Sequence, residues 1–123
     1  MKKILIAEDE EVLRMLIMDT LEDDGYDIHE ASDGEEAELL IGSEEFDLIL
    51  LDYMMPAKTG LEVIGTIRNG MLNRDTKIMM LTAKSQSSDE QTILKAGADY
   101  FLSKPFSPMA LAERVEEILS ENE

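Results

Sequence analysis

The run Leu48-Ile49-Leu50-Leu51 constrains this chain more than any other feature. Four consecutive apolar residues leave no polar face. As a strand they are buried on both sides, the condition met in a parallel sheet covered by helices. The run drives into a single acid, Asp52. Turn-forming residues follow (Pro56, Ala57, Lys58, Thr59 and Gly60), and a helical pattern starts at Leu61. A carboxylate at the carboxyl end of such a strand stands where open α/β sheets place their ligand sites. Alone this is a modest signal, because aspartate is also a common turn former.

The rest of the chain repeats the pattern. A first strand is expected from Lys3 to Ala7, ending on Glu8-Asp9. Its helix carries Val12, Leu13, Leu16, Ile17 and Leu21 on one stripe, with Asp9 or Glu10 at its amino end and Gly25 as its stop. A short strand from about Tyr26 to Glu30 leads to a helix opening near Ser32-Asp33. There Ser32 and Glu35 have capping-box spacing, and Ala37, Leu40 and Ile41 form the apolar face. The third strand, Asp47 to Leu51, precedes a helix with Leu61, Ile64, Ile67 and Met71 inward and Gly70 near its end. A fourth strand, Lys77 to Leu81, ends at Thr82. The helix after it, about Ser87 to Ala96, has a thin apolar face (Ile93, Leu94, Ala96) and should be loosely held. The fifth strand, Tyr100 to Leu102, is followed by Ser103-Lys104-Pro105. The last helix starts at Ser107 with Pro108 in its first position and a stripe of Leu111, Val115, Ile118 and Leu119, and residues 120–123 are expected to fray.

Five β/α repeats imply right-handed crossovers and one parallel sheet covered on both faces. At 123 residues the chain fits one domain, 1–123, with no linker or second domain in view. The absence of cysteine excludes disulfides and thiolate chemistry, and the lone His29 cannot build a His-rich metal site and is read as a surface residue. Most of the nine methionines are expected to fill gaps in the core. No segment approaches the length of a membrane span, and Met1-Lys2-Lys3 with its short apolar run is too brief for a signal peptide, so a cytoplasmic location is expected. The net charge of −17 is uneven: residues 1–47 hold 17 acids and 3 bases. Such a surface disfavours nucleic-acid backbones and anionic lipid.

Together the strand ends acquire a meaning that none has singly. Glu8-Asp9, Asp52, Thr82 and Lys104 all fall on one edge of a parallel sheet, although each has a bland alternative as a helix cap or loop residue. Three carboxylates held close together repel, and they are tolerated by protonation or by a bound cation. All-oxygen ligands suit a hard ion such as Mg2+. With that charge neutralised, Asp52 could attack phosphorus, since a carboxylate nucleophile forming an aspartyl phosphate is established chemistry. Lys104 would meet one phosphoryl oxygen and the Thr82 hydroxyl another.

The chain resembles the receiver domain of two-component response regulators over essentially its whole length. The resemblance rests on the acid pair Glu8-Asp9, the D-x-x-M-P-x-x-x-G run from Asp52 to Gly60, Thr82-Ala83, and Lys104-Pro105-Phe106. The intervals Asp9–Asp52, Asp52–Thr82 and Thr82–Lys104, of 43, 30 and 22 residues, match as well. The resemblance implies a flavodoxin-like fold with strand order 2-1-3-4-5 and an architecture like that of single-domain chemotaxis regulators. It implies that Asp52 accepts a phosphoryl group from a histidine kinase or phosphotransfer protein. Asp9, Asp52 and the Met54 backbone carbonyl would hold Mg2+, or Mn2+ in its place, with Glu8 acting through water. Thr82 and Phe101 would form the switch, reshaping the surface of the fourth helix, fifth strand and fifth helix for a downstream protein target. The domain would be a monomer or a phosphorylation-dependent dimer. Glu8 stands where many members have aspartate, and Phe101 lacks the hydroxyl of the common tyrosine. The Lys104-Pro105 bond is expected to be cis. Met54 and Lys84, each two residues past a site residue, are expected to hinder the hydrolytic water and prolong the phosphoryl group.

Three other readings compete. A small Mg2+-dependent phosphohydrolase would want a second acid two residues after Asp52, where Met54 stands. A flavin-binding electron carrier would want a Gly- or hydroxyl-rich phosphate loop after the first strand, where Glu8-Asp9-Glu10-Glu11 would repel a phosphate. A receiver-like domain that is never phosphorylated would have little use for so complete a site. The sequence therefore favours a phosphorylation-controlled interaction module over an enzyme acting on other molecules.

Overall fold

The computed structural model describes residues 1–83 and 87–121, the side chains of 87–89 excepted. Strands and helices alternate in the order β1 (Lys3–Ala7), α1 (Glu11–Asp23), β2 (Asp27–Ala31), α2 (Gly34–Ser43), β3 (Leu48–Asp52), α3 (Gly60–Asn69), β4 (Lys77–Thr82), α4 (Ser87–Ala96), β5 (Tyr100–Ser103) and α5 (Pro108–Glu121). The five strands form one parallel sheet in the order β2-β1-β3-β4-β5. Expected and observed boundaries differ by a residue at several strand ends, most usefully at β3, which includes Asp52.

Side-chain alternation along the strands sorts the core into two layers. Leu5, Ala7, Ile49, Leu51, Ile78 and Met80 meet Ala37, Ile41, Val63, Ile64, Ile67 and Ile93 from α2, α3 and α4. Ile4, Ile6, Leu48, Leu50, Met79 and Leu81 meet Ile17, Leu21, Leu111, Val115, Ile118 and Leu119 from α1 and α5. All five residues of β3 are buried, as its unbroken apolar run requires.

Helix ends follow local chemistry. Gly25, at φ +89°, ends α1, its N–H returning to the Glu22 carbonyl. Thr59 and Glu62 form a reciprocal capping box on α3. At α5 the Ala110 N–H donates to the Ser107 hydroxyl, with Pro108 in the first helical position.

Several expectations need correction. The cap of α2 is Asp33, not Ser32: its carboxylate accepts from the Glu36 N–H at 2.8 Å, while Glu36 reaches back to the Ser32 N–H at 2.7 Å. Asp33, not Ser32, holds the extended backbone of an N-cap, so the box shifts by one residue. On α1 Ile17 and Leu21 are buried and Leu13 packs partly against the same layer, whereas Val12 and Leu16 are 76% and 41% exposed. Met71 lies beyond α3 and is exposed, because Gly70 turns the chain after Asn69. Of the methionines only Met55, Met79 and Met80 are buried, while Met1, Met15, Met54, Met71 and Met109 face solvent. His29 is half-buried on β2, with Nε2 3.4 Å from Asp27 and its ring edge-on to Phe46.

Two residues that no sequence pattern marks fasten the end of the sheet opposite Asp52. Asn73 is buried, donates to the Ile41 and Glu44 carbonyls at 2.8 Å, and accepts from the Phe46 N–H at 2.8 Å. Arg68 donates to the carbonyls of Gly97, Arg74 and Thr76 and pairs with Asp99 at 2.9 Å.

Candidate functional site: an acidic cleft at the strand ends

The alternation that builds the core also builds the site. Asp52 continues the Leu48, Leu50 series of β3, and Glu8 continues the Ile4, Ile6 series of its neighbour β1, with Ile6 in register with Leu50. Both carboxylates therefore emerge at one sheet edge on adjacent strands. One oxygen from each, together with one from Asp9, lie within 4.8 Å of one another, the one such acidic group among the described residues that could hold a metal ion.

The members differ in environment. Glu8 is fully buried, Asp52 and Thr82 are nearly so, and Asp9 is exposed. Lys104 reaches in from the loop after β5 and places Nζ 2.7 Å from Glu8 Oε1 and 3.1 Å from Asp52 Oδ1. The other Glu8 oxygen accepts from the Glu10 N–H at 3.0 Å, and Arg14 donates to the Glu8 carbonyl at 2.8 Å. The Lys104 N–H donates to the Thr82 carbonyl at 2.7 Å, so the lysine loop hangs from the end of β4. The Lys104–Pro105 bond is cis, as expected.

Burial, with the Glu8 charge beside it, pushes the Asp52 carboxyl up to about 7 despite the opposing Lys104 ammonium. For Lys104, burial works against the charged form, but hydrogen bonding to Glu8 and the Asp52 charge prevail and raise its pKa. One ammonium thus does not offset three carboxylates. An all-oxygen donor set with surplus negative charge fits a hard divalent cation such as Mg2+.

The loop after β3 is tightly specified. A Cβ on Gly60 would stand 2.5 Å from the Asp52 carbonyl, which explains the glycine that closes the D-x-x-M-P-x-x-x-G run. Ala57 adopts φ +69°, and the Lys58 N–H closes a three-residue turn on the Pro56 carbonyl at 2.7 Å. Met54 is 66% exposed. Phe101 is partly buried against the α2–α3–α4 core layer. Lys84 lies outside the described residues. Beside the cleft, Leu13, Leu16, Glu10, Ala83, Lys104, Pro105 and Phe106 line an open groove of about 450 Å3.

Strand order and cleft together define a doubly wound, flavodoxin-like domain whose acidic pocket sits where the strand order reverses, between β1 and β3. The family model of the response regulator receiver domain matches residues 4–116, and the chain belongs to that family. It is 44% identical over 122 residues to the alkaline phosphatase synthesis transcriptional regulatory protein PhoP of Bacillus subtilis, covering 99% of this chain and 50% of that protein. The chain spans about half the length of the curated relatives it matches. Among solved structures it resembles the Francisella response regulator 1452 receiver domain, with a TM-score of 0.92, 32% identity and full coverage of both chains. It also resembles the receiver domain of the sensor histidine kinase PA1611 of Pseudomonas aeruginosa, whose structure has a magnesium ion coordinated in the active site cleft. That likeness has a TM-score of 0.89 and 28% identity, covering 97% of this chain and 98% of that one.

Proposed function

We propose that Asp52 is the phosphoacceptor of a two-component signalling switch. The convergence of Glu8, Asp9, Asp52 and Lys104 on one sheet edge carries this reading. The donor is a phosphohistidine on a histidine kinase or phosphotransfer protein. An Asp52 oxygen attacks phosphorus, the P–N bond breaks, and its electron pair stays on the imidazole, which regains a proton from solvent. Lys104 turns from the Asp52 carboxylate to a phosphoryl oxygen, and the Thr82 hydroxyl donates to another. Reversal by hydrolysis frees inorganic phosphate and restores the carboxylate.

Mg2+ (Mn2+ as a substitute) would be held by Asp9, Asp52 and the Met54 carbonyl, with Glu8 acting through water, and would supply neutralisation of the charge gathered on the phosphoryl oxygens. The magnesium in the PA1611 receiver domain supports this assignment. The chemistry is confined to the domain itself, which is a switch and not a catalyst for other substrates. Movement of Thr82 towards the phosphoryl group admits Phe101 to a more buried position and reshapes the α4–β5–α5 surface for a protein target. Phe101 already rests against the core, so packing rather than a phenol hydrogen bond carries its part. The apolar Met54, exposed beside the cleft, hinders the in-line approach of water and lengthens the life of the phosphoryl group. The apolar groove beside Lys104 supports docking of the donor protein next to the acceptor. No helix among the described residues is long and apolar enough to cross a membrane. A cytoplasmic site of action and a monomer, or a dimer formed on phosphorylation, complete the reading.

Intact mass after incubation with acetyl phosphate tests it directly. A single phosphoryl adduct should form with Mg2+, be lost with EDTA, and be absent from Asp52→Ala. An adduct that survives in Asp52→Ala would move the acceptor elsewhere and sink the assignment.

A further inference from the structure

The loop that carries Met54 is anchored at three points, and one of them lies on a helix that contributes nothing to the cleft. The Tyr53 N–H donates to the Leu81 carbonyl at 2.9 Å, and the Gly60 N–H returns to the Tyr53 carbonyl at 2.9 Å. The third anchor is Pro56. Its carbonyl accepts the Lys58 N–H across the turn at Ala57, and also the N–H of Gly34 at 3.3 Å. Gly34 is the first residue of α2, so this N–H has no partner within its own helix.

The approach is close enough to require glycine. A Cβ at Gly34 would fall 2.2 Å from the Lys58 carbonyl oxygen and 2.4 Å from the Lys58 Cβ. Backbone, not a flexible side-chain tip, bars the way. A second link lies one turn along: Glu38 accepts from the Thr66 hydroxyl on α3 and stands 3.8 Å from Lys58 Nζ. The positive φ of Ala57 is a conformation a β-carbon disfavours, so the turn persists because its surroundings hold it. Met54 and Met55 lie between the Tyr53 and Pro56 anchors, and Met55 is itself buried.

We propose that Gly34 is a positioning residue for the metal site: the bare amino end of α2 sets the β3–α3 loop so that the Met54 carbonyl is available to Mg2+. The inference rests on the proposed metal site and assigns α2 a role in it. Outer-shell supports of this kind typically change metal affinity by on the order of 10-fold when disturbed.

The test is Mg2+ titration of the metal-free chain followed by 15N-resolved amide shifts, with Gly34→Ala and Gly42→Ala compared. Gly42 lies in the same helix, and a β-carbon there would meet nothing within 4 Å, so its variant controls for helix propensity. Gly34→Ala should weaken Mg2+ binding about 10-fold, and Gly42→Ala should leave the dissociation constant unchanged. Unchanged affinity in a folded Gly34→Ala overturns the inference while leaving the metal site intact. A wild-type chain that binds no Mg2+ overturns the metal site and the inference with it. Should Gly34→Ala fail to fold, the wild-type titration decides. The Gly34 amide must then shift along the same binding curve as those of Tyr53, Met54, Met55, Ala57 and Lys58, and a Gly34 amide that stays still removes the proposal.

Discussion

Burial and the neighbouring Glu8 charge raise the pKa of the Asp52 carboxyl, and that has a consequence for stability in the metal-free chain. Its folded value is about 7 against an ordinary value of 3.8. Between those values the folded state retains a proton that the unfolded state releases. The unfolded chain therefore binds fewer protons, and stability falls as pH rises across the window. This contribution is greatest below about 4 and is gone above about 7. Chelated protein should accordingly show a lower melting temperature at pH 8 than at pH 5. Asp52→Asn, which cannot titrate, should flatten that slope, and equal slopes in the two proteins would show that other groups cause it. The glutamate at position 8 is part of the same balance. It is buried only because Lys104 and the Glu10 N–H satisfy both of its oxygens.

Elements show where sequence reading succeeds and where it stops. The β/α alternation was legible because strands buried on both faces and helices with a 3.6-residue stripe are dictated by local pattern. The acid cluster was legible because a parallel sheet places all its strand ends on one edge. Periodicity marks an apolar stripe, but it does not say what covers the stripe, so Val12 and Leu16 belong to the stripe of α1 and still face solvent. Ser32 and Asp33 are both good caps, and only the backbone angles choose between them. Gly34, Arg68 and Asn73 act on segments distant in sequence, and no local pattern announces them. Asn73→Ala should cost about 2–4 kcal/mol by urea unfolding, since it strands a buried N–H and two carbonyls. A loss under about 1 kcal/mol would mean that water replaces the amide. On α4, Ile93 is buried and Leu94 is 45% exposed, the thin attachment expected from the sequence. Amides of residues 91–96 should exchange faster than those of α3 or α5, and equal protection would contradict the loose attachment.

At the scale of the whole molecule, charge and metal act together. The chain carries a net −17, and its acidic cleft adds local repulsion to that general excess. A cation bound only by the folded state stabilises it by mass action, about 2.7 kcal/mol at 100 times its dissociation constant. For a domain of this size that is roughly 10 °C in melting temperature. Ca2+-free Mg2+ should produce that rise in the wild type and much less in Asp52→Asn, whereas an equal rise in both would place the ion elsewhere. The cleft also has a history during synthesis. Glu8 leaves the ribosome 96 residues before Lys104, its ion-pair partner. Until the fifth β/α unit emerges and docks on β4, Lys104 cannot pair with Glu8 or Asp52. A nascent chain that ends before the fifth strand therefore lacks the ammonium that pairs with both buried carboxylates, and the acidic edge is complete only when the last strand is in place.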